Sequence, residues 1–270
     1  MKASHDIKLP GATIGRIAGL LRDARHVIVL TGAGISTDSG IPDFRSPKTG
    51  LWNQKDAKLL TEPGAFDKAM AYFWKFGYEI GKKILKAKPN KAHQILARWE
   101  NELGIVKAII TQNVDELHQR AGSRNVIEIH GNAYEGKCMF CRGSYSMKQM
   151  LRLYKESGKT YPCCIVCSAP VRPQVVLFGE ELPREAMTRA GEEIARCDVA
   201  LLLGSSSVVY PANYFPVLVR DNGGKVIIVN QMDTDLDRIA EIVVHGSISH
   251  VLELIDAALR AQKPRSQASC

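Results

Sequence analysis

The sequence predicts an α/β fold, a doubly wound parallel sheet carrying a second, smaller domain. Three observations predict it. Short apolar runs recur along the chain and helical stretches separate most of them, the pattern of a parallel sheet with crossover helices. The first run passes straight into a glycine-rich turn. Two stretches break the alternation, one rich in aromatic residues and one holding five of the seven cysteines.

In chain order, the strand candidates are Val27 to Leu30, Val106 to Thr111, Val126 to His130, Val199 to Leu203 and Val226 to Asn230. Each is a nearly continuous apolar run, as expected of strands buried on both faces. Helical spacing marks Ile14 to Arg22, Ala92 to Asn101 and Glu185 to Arg196. Right-handed crossovers place ligands at the carboxyl ends of such strands. Five strand ends there carry polar or glycine-rich residues: Thr31 to Gly34, Thr111 to Asp115, His130-Gly131, Gly204 to Ser207 and Asn230. Residues 46–87 read as a helical module whose aromatic residues (Trp52, Phe66, Tyr72, Phe73, Trp74, Phe76 and Tyr78) pack a core of their own. Residues 134–171 read as a cysteine module. The sheet domain then comprises 7–45, 88–133 and 172–262, with 263–270 a disordered tail.

The chain has 270 residues, 45% of them hydrophobic and 24% charged, the balance of a folded globular protein. No apolar run nears the ~20 residues needed to span a bilayer. The N-terminus lacks the apolar core of a signal peptide, so the expected location is cytoplasmic. A net charge of +8 permits an acidic partner or nucleic acid without requiring one. The densest basic stretch, Lys82 to Lys88, keeps helical spacing and reads as a solvated helix face. A monomer without membrane contact is expected.

Cysteines without a secretion signal point to metal or reactive thiols and away from disulfides. Cys138-x-x-Cys141 and Cys164-x-x-Cys167 form a paired motif able to surround one zinc ion with four thiolates. A closed shell of that kind is structural. Cys163 competes with Cys164 for the fourth place, but only Cys164 keeps the two-residue spacing.

The turn Gly32-Ala33-Gly34 suits a phosphate because glycine lets backbone N–H groups approach closely. The standard dinucleotide fingerprint asks for a third glycine where Thr37 stands, which disfavours a hydride-transferring dehydrogenase. Beyond the turn, Ile41-Pro42-Asp43-Phe44-Arg45 can cover the reactive end of a cofactor. His130, at a strand's carboxyl end and followed by Gly131, is placed as a general base near neutral pH. Asn113 and Asp115 stand beside it, although Asn113 with Glu116 three residues on also reads as a helix cap.

These motifs, together with Thr111 to His118, Arg172 to Glu180, Gly204-Ser205-Ser206 and Val229-Asn230, resemble in order and spacing those of the sirtuin family of protein deacylases. The resemblance runs from about residue 14 to 258 and is nearest to bacterial and archaeal single-domain members. It implies a Rossmann-like domain that binds NAD as a consumed co-substrate, and a zinc ion on Cys138, Cys141, Cys164 and Cys167. It assigns the NAD site to Gly32, Ala33, Gly34, Ser36, Thr37, Gly204, Ser205 and Ser206, with Asn230 and Ile248 by the adenosine half. Ile41, Pro42, Asp43, Phe44, Arg45, Gln112, Asn113 and Asp115 fall to the nicotinamide side, with His130, Asn113 and Asp115 catalytic.

The resemblance also implies that Val175, Val176 and Phe178 line a channel for the acyl-lysine of an acetylated protein. The backbones of Gly179-Glu180 and Ser207-Val208 pair with that substrate as an added strand. The implied reaction is lysine deacetylation that releases nicotinamide and forms O-acetyl-ADP-ribose. Ser207 stands where the family often has leucine. The stretch Tyr72 to Gly77 lacks the arginine that binds acidic acyl groups, which favours acetyl or longer apolar acyl groups. The rival readings are mono-ADP-ribosyl transfer from the same NAD site and a non-catalytic, NAD-sensing zinc-ribbon protein that binds nucleic acid.

Overall fold

The computed structural model describes residues 11–47, 50–53, 57–158 and 160–261. The first residues assigned to the sheet domain, the side chain of Trp52 and the expected tail at 263–270 with Cys270 lie outside the described residues.

Helix α1 (Gly11–Asp23) buries Ile14, Ile17, Ala18 and Leu21, one face at helical spacing. Strand β1 (Val27–Thr31) is buried throughout and runs into a 3-10 turn at Ala33–Ser39, which Gly40 closes at φ 86°. Helices α2 (Ala65–Lys68) and α3 (Met70–Lys86) follow. Helix α4 (Lys91–Asn101) begins at Asn90, whose side chain accepts from the N–H groups of Ala92 and His93. Then come β2 (Val106–Thr111), the short α5 (Leu117–Arg120) and β3 (Val126–Glu128). The chain leaves for β4 (Gly131–Cys138), β5 (Ser144–Ser146) and α6 (Met147–Glu156), and returns along β6 (Val171–Val175). It closes with α7 (Arg184–Arg196), β7 (Val199–Leu203), α8 (Phe215–Asp221), β8 (Lys225–Asn230), β9 (Ile242–His245) and α9 (Ile248–Ala261).

The large sheet has the order β3-β2-β1-β7-β8-β9, with every neighbouring pair parallel. Counted within that sheet this is 3-2-1-4-5-6, the doubly wound order whose crevice opens where the direction of winding reverses. The reversal falls between β1 and β7, so Thr31 lies beside Thr111 on one side and Leu203 on the other.

Alternation along β1 sends Val27 and Val29 into one core and Ile28 and Leu30 into another. The first core is roofed by α1, α4 and α9, the second by α7 and α8. A third core joins the two insertions around the sheet β5-β4-β6. There Trp74 stacks on Tyr154 at 6.1 Å, Phe73 meets Phe66 edge-on at 5.0 Å, and Gly81 leaves room for Leu151. Phe66, Tyr72, Phe73, Trp74, Phe76 and Tyr78 thus pack a core, which they share with the cysteine module instead of closing one of their own.

Three features depart from the sequence reading. The strand expected to reach His130 stops at Glu128, because Gly131 at φ 74° turns the chain out of the large sheet into β4. β4 runs across residue 134 and β6 across residue 171 as one antiparallel pair, so the passage between the sheets is continuous. β9 extends the large sheet beyond the five strands read from apolar runs, and α9 after it packs on the first core. β9 is a four-residue edge strand, too short to stand out by composition. No helix among the described residues is long and apolar enough to cross a membrane.

Candidate active site

The carboxyl ends of β1, β2, β7 and β8 open into a cavity of about 420 Å³. Its wall includes the turn from Gly32 to Thr37, the segment Ile41 to Arg45, Gln112, Asn113, Asp115, His130, Gly204 to Ser206, Asn230 and Ile248. Val175, Val176, Phe178, Gly179 and Glu180 line it as well. Ser207 and Val208 do not. Ser207 is buried with φ 57°, and Val208 is exposed.

The glycines have a tertiary reason. A Cβ on Gly32 would stand 2.7 Å from the Gly204 carbonyl oxygen, and one on Gly34 2.7 Å from the Gly204 Cα. Gly204 itself has φ 64°. The two loops abut, and the Gly34 N–H donates to the Gly204 carbonyl at 2.9 Å. Glycine therefore serves loop-to-loop contact here, in addition to any approach of a phosphate.

His130 lies in the turn after β3, with Nδ1 3.2 Å from the Gln112 carbonyl oxygen. A carbonyl only accepts, so Nδ1 carries the proton and Nε2 keeps its lone pair. Burial holds this imidazole below its ordinary pKa, against the opposing pull of the Gln112 bond. It is therefore neutral and basic at physiological pH.

Asn113 is no helix cap; α5 starts at Leu117, whose N–H bonds Asp115 Oδ1 at 3.0 Å. The Asn113 amide instead donates to the Gly32 carbonyl (3.1 Å) and to Ser36 Oγ (3.2 Å). Ser36 Oγ in turn donates to Asp115 Oδ2 at 2.7 Å. Asp115 is buried, which raises its pKa, and the Ser36 bond opposes that rise. Asp43 turns both oxygens to its own loop, accepting from the Arg45 and Ser46 N–H groups (2.8 and 2.7 Å) and from Ser46 Oγ. Gln112 reaches Ser205 Oγ at 3.2 Å and so ties β2 to the glycine loop after β7.

Sequence reasoning missed two parts of the site. The cavity extends along an apolar wall of Phe73, Trp74, Ile80, Met147, Met150 and Leu151, contributed by α3 and α6. Their periodicity marks them as buried, but not that a cavity runs between the two helices. Below the site lies a buried polar spine. Thr31 Oγ1 donates to Thr111 Oγ1 (2.8 Å), which also accepts the Asn113 N–H (3.0 Å), and Thr31 accepts from His118 Nε2 (3.1 Å). The His118 ring lies 4.8 Å from that of His93, and Asn90 at the head of α4 donates to the Ile35 carbonyl at 2.7 Å. Polar residues at the ends of buried strands were the signal.

The Sir2 family model matches residues 32–211, most of the chain and all of β1's turn, β2, β3 and the cysteine motifs. The chain belongs to the Sir2 family. It is 47% identical over 246 residues to the NAD-dependent protein deacetylase of Caldivirga maquilingensis, covering 89% of this chain and 91% of that protein. It is 45% identical over 240 residues to the NAD-dependent protein deacylase of Thermococcus kodakarensis, covering 88% and 93%. A solved Sir2 structure with a deacetylated p53 peptide and 3′-O-acetyl-ADP-ribose is similar at TM-score 0.86 and 38% identity, over 90% of this chain and 97% of that one.

The residues of this Sir2 chain fit both groups the family implies. For NAD, the cavity is polar where the strand ends converge and closed by the abutting glycine loops. For zinc, the Sγ atoms of Cys138, Cys141, Cys164 and Cys167 all lie within 4.8 Å of one another. Cys138 and Cys167 are 3.4 Å apart, Cys141 and Cys164 3.5 Å. A zinc tetrahedron with bonds of about 2.3 Å needs sulfurs about 3.8 Å apart, so four thiolates close the shell and leave no open position. Tyr145 Oη donates to Cys164 Sγ at 3.0 Å and brings that thiol down to about 6, favouring the thiolate a metal requires. Cys163 stays outside the cluster, its thiol directed to the Tyr161 carbonyl. Spacing alone chose the same cysteine.

Proposed function

We propose that this Sir2 chain is an NAD-dependent protein-lysine deacylase in which His130 is the general base. The observation that carries the reading is the His130 tautomer. The Gln112 carbonyl holds the proton on Nδ1, and the ring lines the same cavity as Asn113, Asp115 and the glycine turn. NAD bound there supplies an anomeric carbon from which nicotinamide departs and to which the acyl oxygen adds. Gly32, Ala33, Gly34, Ser36 and Thr37, with Gly204, Ser205 and Ser206, hold its phosphates and ribose. Asn230 and Ile248 stand by the adenosine. Asn113 and Asp115, fixed by Ser36, orient the carboxamide end, and the segment Ile41 to Arg45 covers it and excludes water. His130 Nε2 takes a proton from a ribose hydroxyl, which then accepts the acyl group.

The acyl-lysine of a protein or peptide enters past Val175, Val176 and Phe178, its backbone beside Gly179-Glu180 and Ser207-Val208. The modules at 46–87 and 134–171 act as the small domain on that side. The test is nicotinamide release from NAD with and without an acetyl-lysine peptide, for the wild type and His130→Ala. Peptide-dependent release lost in the variant, with O-acetyl-ADP-ribose as product, is expected. Nicotinamide release without deacetylated peptide turns the reading toward ADP-ribosyl transfer. No release with any acylated peptide overturns the catalytic claim.

A further inference from the structure

A second cavity, about 310 Å³, shares Pro173, Val175 and Val176 with the candidate active site. Its charged lining residues are Lys137, Arg142 and Arg172, and no carboxylate lines it. Lys137 and Arg172 stand directly opposite each other across the β4–β6 pair, where like charges destabilise a sheet. Glu180 relieves Arg172 through an ion pair of 2.5 Å, and the guanidinium also lies 5.0 Å over the Phe66 ring. Among the described residues, no ion pair involves Lys137 or Arg142. Arg142 is held at φ 63° on the zinc knuckle, a backbone conformation unfavourable for arginine, with its N–H bonded to the Cys138 carbonyl. The fold thus keeps a strained cation and an opposed pair of cations around one concave groove that adjoins the acyl-lysine channel.

We propose that this groove is a substrate subsite that receives an acidic side chain, Asp or Glu, close in sequence to the acylated lysine. It rests on the deacylase reading, because the shared wall of Val175 and Val176 is what brings a neighbouring substrate residue to it. An extended peptide advances about 3.3 Å per residue, so the residues that reach the groove lie within a few positions of the lysine. A carboxylate there gives Lys137 and Arg142 the counter-charge that Glu180 already gives Arg172. The concave shape, with three cations around one opening, suits a single side chain better than a phosphate backbone, which is met by a row of cations.

The test uses the full-length, zinc-loaded protein and three fluorescein-labelled acetyl-lysine peptides that carry Glu, Gln or Lys at the flanking positions. Binding is read by anisotropy and turnover by nicotinamide release, for the wild type, the Lys137→Gln/Arg142→Asn double variant and Lys137→Gln alone. In the wild type the Glu peptide should bind roughly 5-fold more tightly than the Gln peptide at low salt, the sum of two partly exposed ion pairs. The advantage should shrink as salt is raised past about 0.1 M. In the double variant the ratio should fall to about one with affinity for the Gln peptide and zinc content unchanged, and Lys137→Gln should lie between. Equal affinities for Glu and Gln peptides in the wild type, or a preference that survives in the double variant, overturn the subsite. Displacement of peptide by a DNA duplex with no preference for Glu assigns the groove to nucleic acid instead. A Glu preference without any nicotinamide release leaves the subsite standing while the deacylase reading falls; turnover without a Glu preference does the reverse.

Discussion

At the scale of single residues, the site is governed by which groups burial keeps neutral. His130 titrates below the ordinary 6.5 because burial outweighs its bond to Gln112. A base acts in its deprotonated form, so kcat/KM for peptide deacylation should fall on the acid side with a midpoint below 6.5. A midpoint at about 7 or above refutes this assignment of the base. His93, fully buried at the head of α4, is pushed down to about 4. Between about 4 and 6.5 the unfolded chain binds a proton that the folded chain does not, so stability falls as pH is lowered through that window. A shift of that size corresponds to about 3 kcal/mol. Urea unfolding at pH 7.5 and 4.5 should show the loss, and His93→Gln should make it shallower by a comparable amount. His118 shifts in the same direction from burial and from His93 beside it. The pair is thus held neutral beneath Thr31 and Thr111, whose hydroxyls carry no charge to balance a protonated imidazole.

At the scale of elements, two turns do work that their residue types only partly announce. The 3-10 turn after β1 and the loop after β7 meet at Gly32, Gly34 and Gly204, with Ile35 and Ser205 alongside, and Asn113 after β2 bonds into the first of them. The cysteine knuckles bring together the turn after β4 and the turn before β6, and Tyr145 on β5 bonds both Cys164 Sγ and the Ile165 N–H. A three-stranded sheet with one eight-residue strand and a three-residue strand is marginal without such a staple. Cys164→Ser should therefore lose the zinc and lower the melting temperature sharply, since structural zinc contributes on the order of 10 kcal/mol of apparent binding free energy. Cys163→Ser should leave zinc content at one per chain and melting nearly unchanged. Metal analysis and thermal melting of both variants read the difference, and zinc loss in Cys163→Ser would contradict the cluster described here.

At the scale of the molecule, the groups proposed to react lie where the large sheet reverses its winding, and the rest of the cavity lies against the core shared by α3 and α6. That division separates the polar strand ends from an apolar far wall of Phe73, Trp74, Ile80, Met147, Met150 and Leu151. Arg45 is the one lysine or arginine lining the cavity among the described residues, and Asp43 lies beside it. A carboxylate at the end of an acyl chain has no partner on that wall, and an unpaired buried charge is strongly disfavoured. A succinyl-lysine peptide should therefore be turned over with kcat/KM at least about 10-fold below its acetyl counterpart, whereas a butyryl peptide should remain a substrate. Competing the three peptides in one assay measures this directly, and equal use of succinyl peptide would show that a cation reaches the chain.

Much of this was legible in the chain itself. Largely apolar runs of four to six residues marked β1, β2, β7 and β8, because a strand buried on both faces is apolar along most of its length. The two-residue spacing of Cys138-Cys141 and Cys164-Cys167 marked the metal cluster, because that spacing turns two thiolates toward one point. His130 was marked by its place after a short apolar run and before a glycine. These are local properties, decided within a few residues. The tertiary structure decided the rest. It decided that Gly32 and Gly34 make room for Gly204, that Asn113 bonds a carbonyl 81 residues away rather than capping a helix, and that His118 supports Thr31 across 87 residues. It also opened a cavity along residues whose spacing indicates only burial. Such pairings depend on which loops the sheet order brings together, and no periodicity within one segment carries that information.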